Sequence, residues 1–227
     1  TKKKSSYPVT VSIQSTKNAT ERSYQVQKII SDAGMNNGVT LAMQSMDAHT
    51  LESIKRQNIS LESYQEIQRR FTKDRVETYC DIILGLPGET YDSFFNGISK
   101  IITNGQHNRI QFSNCAILPN AEMGDPKYQQ KYGMELVEIR TVNIHGTLVE
   151  TEDDIPETQH LVIATNTMPR PDWRKSRALS WLVALLHFDK LFQIPLILLH
   201  DICSLSYREL FEVFMERNLG AYPILSE

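Results

Sequence analysis

Thr78-Tyr79-Cys80-Asp81-Ile82-Ile83-Leu84-Gly85-Leu86-Pro87-Gly88-Glu89-Thr90 is the decisive stretch of the sequence, because it sets the architecture of the chain. Its first seven residues suit a largely buried strand, Gly-Leu-Pro-Gly then breaks regular structure, and Thr90 can cap a helix that buries Phe94, Ile98 and Ile101. A strand that turns straight into a helix is half of a βα unit, and the same rhythm recurs on both sides. Upstream, residues 8–15 read as a strand that leads through Lys17-Asn18-Ala19-Thr20 into a helix with Val26, Ile29, Ile30 and Ala33 on one side, ended by Gly34. Residues 38–45 read as a second strand. Asp47 can cap a helix bearing Leu51 and Ile54, and Ser60 another with Tyr64, Ile67 and Phe71 at spacings of three and four. The decisive stretch supplies the third strand. Residues 109–118, after a helix that stops at Gly105, supply the fourth. Strands and helices in this alternation predict an α/β fold around a parallel sheet.

Beyond residue 119 the rhythm breaks. Residues 120–133 are rich in Pro, Gly and Tyr, and strand-like runs at 136–148 and 161–165 flank the acidic stretch 150–157, which reads as a solvated loop and not a metal site. The tail is helical: an apolar stripe runs through Leu182 and Leu185 in residues 172–189, and Ser206 with Glu209 forms a capping box ahead of Leu210, Phe211 and Phe214. The expected organisation is four βα-type units over 1–119 and an accessory α+β region ending in helices over 120–227.

Composition narrows the function classes. With 227 residues, 41% hydrophobic and 22% charged, the chain has an ordinary globular balance and enough length for a sizeable core. A net charge of −3 leaves no basic footprint for nucleic acid, and Lys2-Lys3-Lys4 is too short to serve as one. Cys80, Cys115 and Cys203 lie 35 and 88 residues apart, which is neither a disulfide framework nor a C-x2-C ligand pattern. A reducing, cytoplasmic setting is expected. The start at Thr1 reads as internal, with no signal peptide. The most apolar window, 180–199, is split by Asp189, Lys190 and Pro195 into pieces far shorter than the roughly 20 residues of a membrane span, so a buried helix pair is expected.

No catalytic set stands out. There is no G-x-S-x-G or H-E-x-x-H, and His145, His160, His187 and His200 lack ligand spacing, so no catalytic residue or metal ligand is assigned. Gly85-Leu86-Pro87-Gly88-Glu89-Thr90 lacks the G-K-[ST] ending of a phosphate loop and reads as a tight turn. Ligands of parallel βα sheets bind at the carboxyl ends of strands. That singles out Lys17 and Asn18, Gln44 and Ser45, residues 85–89, and residues 114–119 beginning with Asn114. Asp81, inside an apolar strand, must face something polar, and alternation puts it on one face with Ile83.

Taken in order, Met43-Gln44-Ser45-Met46-Asp47, then Leu51-Glu52-Ser53-Ile54-Lys55-Arg56-Gln57-Asn58, the decisive stretch from Asp81, and Ile117-Leu118-Pro119 resemble the second half of a radical S-adenosylmethionine (radical SAM) barrel. The spacings of Gln44 to Arg56 by 12 and Gln44 to Asp81 by 37 are similar to those in the oxygen-independent coproporphyrinogen oxidase branch. Lys17-Asn18-Ala19-Thr20-Glu21-Arg22 and Gly124-Asp125-Pro126-Lys127-Tyr128 are similar to radical SAM proteins that carry an upstream cobalamin-binding domain. The resemblance implies half of a partial (βα)6 TIM-like barrel, strong over residues 7–119 and loose beyond. It also implies that Arg56 and Gln44, next to Ser45, meet polar groups of SAM, that Asp81 lies near the ribose and Ile83 on the adenine face, and that the backbone at Asn114 to Ala116 meets the adenine edge. Lys17 stands where that branch has an acidic residue, and could pair with the SAM carboxylate or with a neighbouring acid.

One departure stands out: the family's C-x3-C-x2-C cluster motif is absent, so the ligands of a [4Fe–4S] cluster are expected upstream, with this chain inactive alone. In the intact protein the resemblance implies reduction of SAM to a 5′-deoxyadenosyl radical and, if cobalamin is used, methyl transfer or a ring rearrangement. The implied partners are a small substrate, a reductant such as flavodoxin or ferredoxin, and the upstream part of the same protein, with no nucleic acid or membrane evident. The other reading is a non-catalytic barrel-derived binding module that lacks the cluster, which would leave an open sheet edge needing a partner.

Overall fold

A computed structural model describes residues 7–11, 13, 21–36, 38–141 and 157–216. Its elements are α1 (Glu21–Asp32), β1 (Val39–Thr40), α2 (Ala48–Ser53), α3 (Leu61–Lys73), β2 (Thr78–Leu84), α4 (Tyr91–Thr103), β3 (Arg109–Asn114) and β4 (Ala116–Ile117). There follow α5 (Pro126–Lys131), β5 (Glu135–Arg140), β6 (Thr158–Ala164), α6 (Arg170–Val183), which runs on into a π-helical turn over Ala184–Phe188, then α7 (Gln193–Cys203) and α8 (Tyr207–Glu216).

β2 alternates as a half-covered strand should. Thr78, Cys80, Ile82 and Leu84 are buried, while Tyr79, Asp81 and Ile83 share the other, partly open face. It is the middle strand of a parallel sheet in the order β1-β2-β3, with Thr40 opposite Tyr79 and Ile83 opposite Ser113. The connecting helices cover the buried face: Tyr64, Ile67 and Phe71 of α3 and Phe94, Phe95, Ile98, Ile101 and Ile102 of α4 belong to one core with Cys80, Ile82 and Leu84. Their starts are fixed locally. Asp47, Ser60 and Thr90 each accept a backbone N–H in the first turn of α2, α3 and α4, and Thr90 with Ser93 completes a capping box. Between β2 and α4, Pro87 and Gly88 (φ 87°) form the centre of a turn closed by the Glu89 N–H to the Leu86 carbonyl, the geometry that requires glycine in third place. A mixed α/β fold is therefore what the chain adopts.

Several expectations are corrected. The second strand, expected over 38–45, pairs continuously only at Val39–Thr40; Gln44 rejoins β2 through an isolated bridge to Ile82. Residues 109–118 are not one strand. At Cys115 the extended chain leaves the parallel sheet, and β4 joins an antiparallel sheet ordered β4-β6-β5. Cys115 bonds to both, its N–H to the Leu84 carbonyl and its carbonyl to the Val162 N–H, so one run of sequence serves two sheets. The run expected at 136–148 is seen as β5, and 161–165 as the longer β6; residues 142–156, including most of the acidic stretch, lie outside the described residues. Of the strand expected at 8–15, Val11 bridges to Asn36, and residues 14–20 with Lys17 lie outside the described residues.

Helix faces are corrected too. In α1 the buried residues are Gln27 and Ile30, while Val26 and Ile29 are exposed. In α6 and its π-turn the buried stripe runs through Ser176, Leu179, Ser180, Val183, Leu186 and His187, with Leu182 and Leu185 beside it. The expected buried helix pair is only half buried: Trp181 is 66% and Ile194 70% exposed, and Leu196 is the buried residue of α7. No single helix among the described residues is long and apolar enough to cross a membrane; α6 with its π-turn and α7 pass only as a pair bent by 91°.

Candidate functional site

Helix α2 starts on Asp47, whose Oδ2 accepts from the Thr50 N–H and from the Thr50 hydroxyl, both at 2.8 Å. It ends in a Schellman motif: Arg56 N–H donates to the Leu51 carbonyl at 2.8 Å and Lys55 N–H to the Glu52 carbonyl at 3.0 Å. Lys55 takes the left-handed conformation (φ 53°) usually given to glycine there. This reversal turns Arg56 back under the strand end. Its Nη2 donates to the Ala42 carbonyl at 2.8 Å and its Nε to Asn58 Oδ1 at 2.9 Å, while Nη1 is buried with no hydrogen-bond partner among the described residues. Burial pulls the guanidinium pKa below its ordinary value without neutralising it. An unpaired buried donor of this kind costs roughly 1–3 kcal/mol until an acceptor arrives.

Asn58 completes the corner. Its Nδ2 donates to the Met43 carbonyl at 2.9 Å and to the Ser45 carbonyl at 2.8 Å, one on each side of Gln44. Gln44 itself has φ 60°, and the Ser45 N–H closes a three-residue turn around it onto the Met43 carbonyl at 2.8 Å. The Gln44 carboxamide has no hydrogen bond to another described residue and lines a cleft of about 1340 Å³. Arg56, Ile83, Leu86, Asn114 and Met123 line the same cleft. Asn114 Oδ1 is a second buried polar atom without a partner among the described residues.

The structure thus brings Gln44, Arg56, Ile83 and Asn114 together around one cavity at the carboxyl ends of the strands. Asp81 shares the face of Ile83 but stands two residues, roughly 7 Å, further back along β2 and outside the cleft lining. It is half-buried, and burial raises its carboxyl pKa. Ser45 is turned away: its buried hydroxyl donates to Glu89 Oε1 at 2.6 Å and accepts from the Asp47 N–H at 3.1 Å. Lys17 lies outside the described residues.

Asn58 is a site-forming residue that the sequence does not single out, whereas Glu89 belongs to the stretch 85–89 that it does. Asn58 stood inside a quoted motif, and its position after the helix stop gave no hint that it would clip a strand two elements back. Glu89 sits in the turn before α4 and is 1% exposed; burial, with Asp47 nearby, pushes its carboxyl up to about 8 despite the Ser45 hydrogen bond. Its Oε2 has no partner among the described residues, so the neutral acid is the form that suits this position.

Chemically, the cleft is lined by a fixed cation, a free carboxamide, an aliphatic wall at Ile83 and Leu86, and an amide at the far strand end, with the unpaired Arg56 Nη1 and Asn114 Oδ1 buried behind its surface. That set fits a zwitterionic ligand with a carboxylate at one end and a flat heterocycle at the other, which is the form of SAM. It does not fit an iron–sulfur cluster. Among the described residues no three His, Cys, Asp or Glu side chains could hold a metal ion, and burial pushes the Cys80 and Cys115 thiols up to about 12, which keeps them protonated.

No known family profile matches the chain. Its sequence is similar to that of cobalamin-dependent radical SAM methyltransferases. The cobalamin-dependent radical SAM methyltransferase TokK of Streptomyces tokunonensis is 37% identical over 180 residues, covering 79% of this chain and 26% of TokK. The 2-(S-pantetheinyl)-carbapenam-3-carboxylate methyltransferase of Streptantibioticus cattleyicolor is 33% identical over 219 residues, covering 95% of this chain and 31% of that enzyme. The chain therefore spans between a quarter and a third of the length of these relatives. Among solved structures, the radical SAM methyltransferase TsrM of Kitasatospora setae, with tryptophan and a SAM analogue bound, aligns at a TM-score of 0.48 and 14% identity over 72% of this chain and 34% of TsrM. TsrM with cobalamin and a [4Fe–4S] cluster bound aligns at 0.38 and 15% identity over 47% of this chain and 19% of TsrM.

Proposed function

We propose that this chain forms part of the SAM-binding cleft of a cobalamin-dependent radical SAM methyltransferase and supplies the second half of its partial barrel. The observation that carries the reading is the buried, unpaired Nη1 of Arg56 beside the cleft, in a chain whose relatives are such enzymes. In this reading the Arg56 guanidinium holds the methionyl carboxylate, and the Gln44 carboxamide meets the same polar end. Ile83 lies against the adenine face, Asn114 and the backbone to Ala116 meet its edge, and Asp81 stands toward the ribose hydroxyls. Ser45 acts at one remove by fixing Glu89, and Lys17 is a further cation for the SAM carboxylate. Bound beside a [4Fe–4S] cluster and cobalamin, SAM supplies the radical and the methyl group; the protein's part is to orient it and keep water out.

The cluster ligands would come from a C-x3-C-x2-C motif elsewhere in the same polypeptide, and the electrons from a donor such as flavodoxin or ferredoxin. One relative's named substrate is a carbapenam carboxylate, which makes a bicyclic carboxylate the first methyl acceptor to assay. SAM affinity of the whole polypeptide, measured anaerobically by calorimetry, tests the reading. Arg56→Ala should weaken binding by about tenfold or more, a difference of ~1.4 kcal/mol, and Arg56→Lys by less. Unchanged affinity in Arg56→Ala would remove the assignment.

A further inference from the structure

Gln44 is held in a conformation that its sequence does not ask for. Four residues lead from Thr40, opposite Tyr79, to Gln44, opposite Ile82, where β2 uses three, so the first strand carries one extra residue just before Gln44. Paired residues of a sheet point to the same side, and the Ile82 side chain points into the core, 2% exposed. The positive φ of Gln44 turns its carboxamide to the cleft instead. The backbone remains in the ladder, since the Gln44 N–H donates to the Asp81 carbonyl at 2.8 Å and the Ile83 N–H donates to the Gln44 carbonyl at 2.9 Å. Strain of this kind persists only where the surroundings over-determine it, and a strained polar residue at a cleft is a pointer to function.

We propose that Asn58 is a positioning residue for SAM: it locks Gln44 in the left-handed turn and so aims the carboxamide at the ligand. The proposal rests on reading the cleft as a SAM site. Both hydrogens of the Asn58 amide are used, one on the carbonyl before Gln44 and one on the carbonyl after it, so the two peptide planes that flank the strained residue are fixed together. Its Oδ1 accepts from Arg56 Nε, which ties the carboxamide and the guanidinium into one frame. Asn58 lines the same cleft, but its three side-chain hydrogen bonds are all made to protein atoms, the Met43 and Ser45 carbonyls and Arg56 Nε, so its effect on the ligand runs through Gln44.

The test is a double-mutant cycle on SAM affinity in the whole polypeptide. Asn58→Asp retains the oxygen that receives Arg56 Nε and loses both donors. It should weaken SAM binding by about five- to tenfold, as should Gln44→Ala, and the double variant should bind within about twofold of Gln44→Ala alone. A merely structural Asn58 would give losses that multiply. The proposal is overturned if Asn58→Asp binds SAM like the wild type, or if its full loss persists where Gln44 is already alanine. Should Asn58→Asp lower the thermal midpoint by more than a few degrees, Asn58→Ser, which retains one donor, takes its place in the cycle with the same criteria. A wild-type protein that does not bind SAM at all would instead bring down the SAM reading, and this one with it.

Discussion

A left-handed glutamine costs about 1–2 kcal/mol relative to an extended one, and Gln44 bears that cost at the mouth of the cleft. Gln44→Gly should therefore leave stability within about 1 kcal/mol of the wild type, because glycine adopts φ 60° freely while adding chain entropy to the unfolded state. SAM affinity should fall all the same; a variant that binds as tightly as wild type would show that the carboxamide is not used. Glu89 makes a separate claim. Its folded pKa of about 8 stands above the ordinary 4.5, so between those values the folded state holds a proton that the unfolded state has lost. The contribution of Glu89 to stability should then decline as pH rises from 4.5 to 8, with a slope of the order of 1 kcal/mol per unit at most. In urea titrations the stability of wild type relative to Glu89→Gln should fall across that range. A difference between the two that stays constant up to pH 8 would mean that Glu89 ionises freely in place. That Gln44, Arg56, Ile83 and Asn114 gather at one cleft was legible from motif order and strand ends. The strain at Gln44 was not, because nothing in Met43-Gln44-Ser45 marks a positive φ as a glycine or asparagine would.

Helix starts were legible because their causes are local: Asp47, Ser60, Thr90 and the Ser206–Glu209 box all cap where the residues place them. Strand ends were not, since pairing partners lie far off in sequence. Cys115 divides residues 109–118 between two sheets only because β6 arrives from some forty residues downstream. The exposed Val26 and Ile29 of α1 show the same limit, as apolar spacing says which face is apolar and not what covers it. Another long-range contact joins the elements at the opposite side of the core. His187, in the π-turn after α6, is fully buried, with Nε2 3.1 Å from Nδ1 of His107 in the α4–β3 connection. Burial, and then His107, lower the His187 pKa to about 4, and burial lowers that of His107, with Asp201 opposing and His200 adding to it. Tyr207 of α8 and Phe188 pack on the His187 ring. Between pH 6.5 and 4 the unfolded chain takes up a proton that folded His187 refuses, so the contribution of His187 to stability should fall as pH falls through that window. His187→Phe should lose less stability than wild type between those pH values, read as urea midpoints; an identical pH dependence would show that His187 is charged in the fold.

At the scale of the molecule, a parallel sheet backed by α3 and α4 and an antiparallel sheet fed from its last strand meet at Cys115, and the cleft opens beside that junction. The parallel half and its polar strand ends were readable from sequence because βα units repeat a local pattern. The antiparallel half was readable only as strand-like runs, because its pairing is set by register between distant segments. Hydrogen–deuterium exchange of the whole polypeptide with and without SAM reads the placement of the cleft. SAM should slow exchange in the peptides that carry Gln44 to Asn58 and Leu84 to Ala116, while α7 and α8 stay unchanged. SAM that binds yet leaves those two segments exchanging at their free rates would contradict the account.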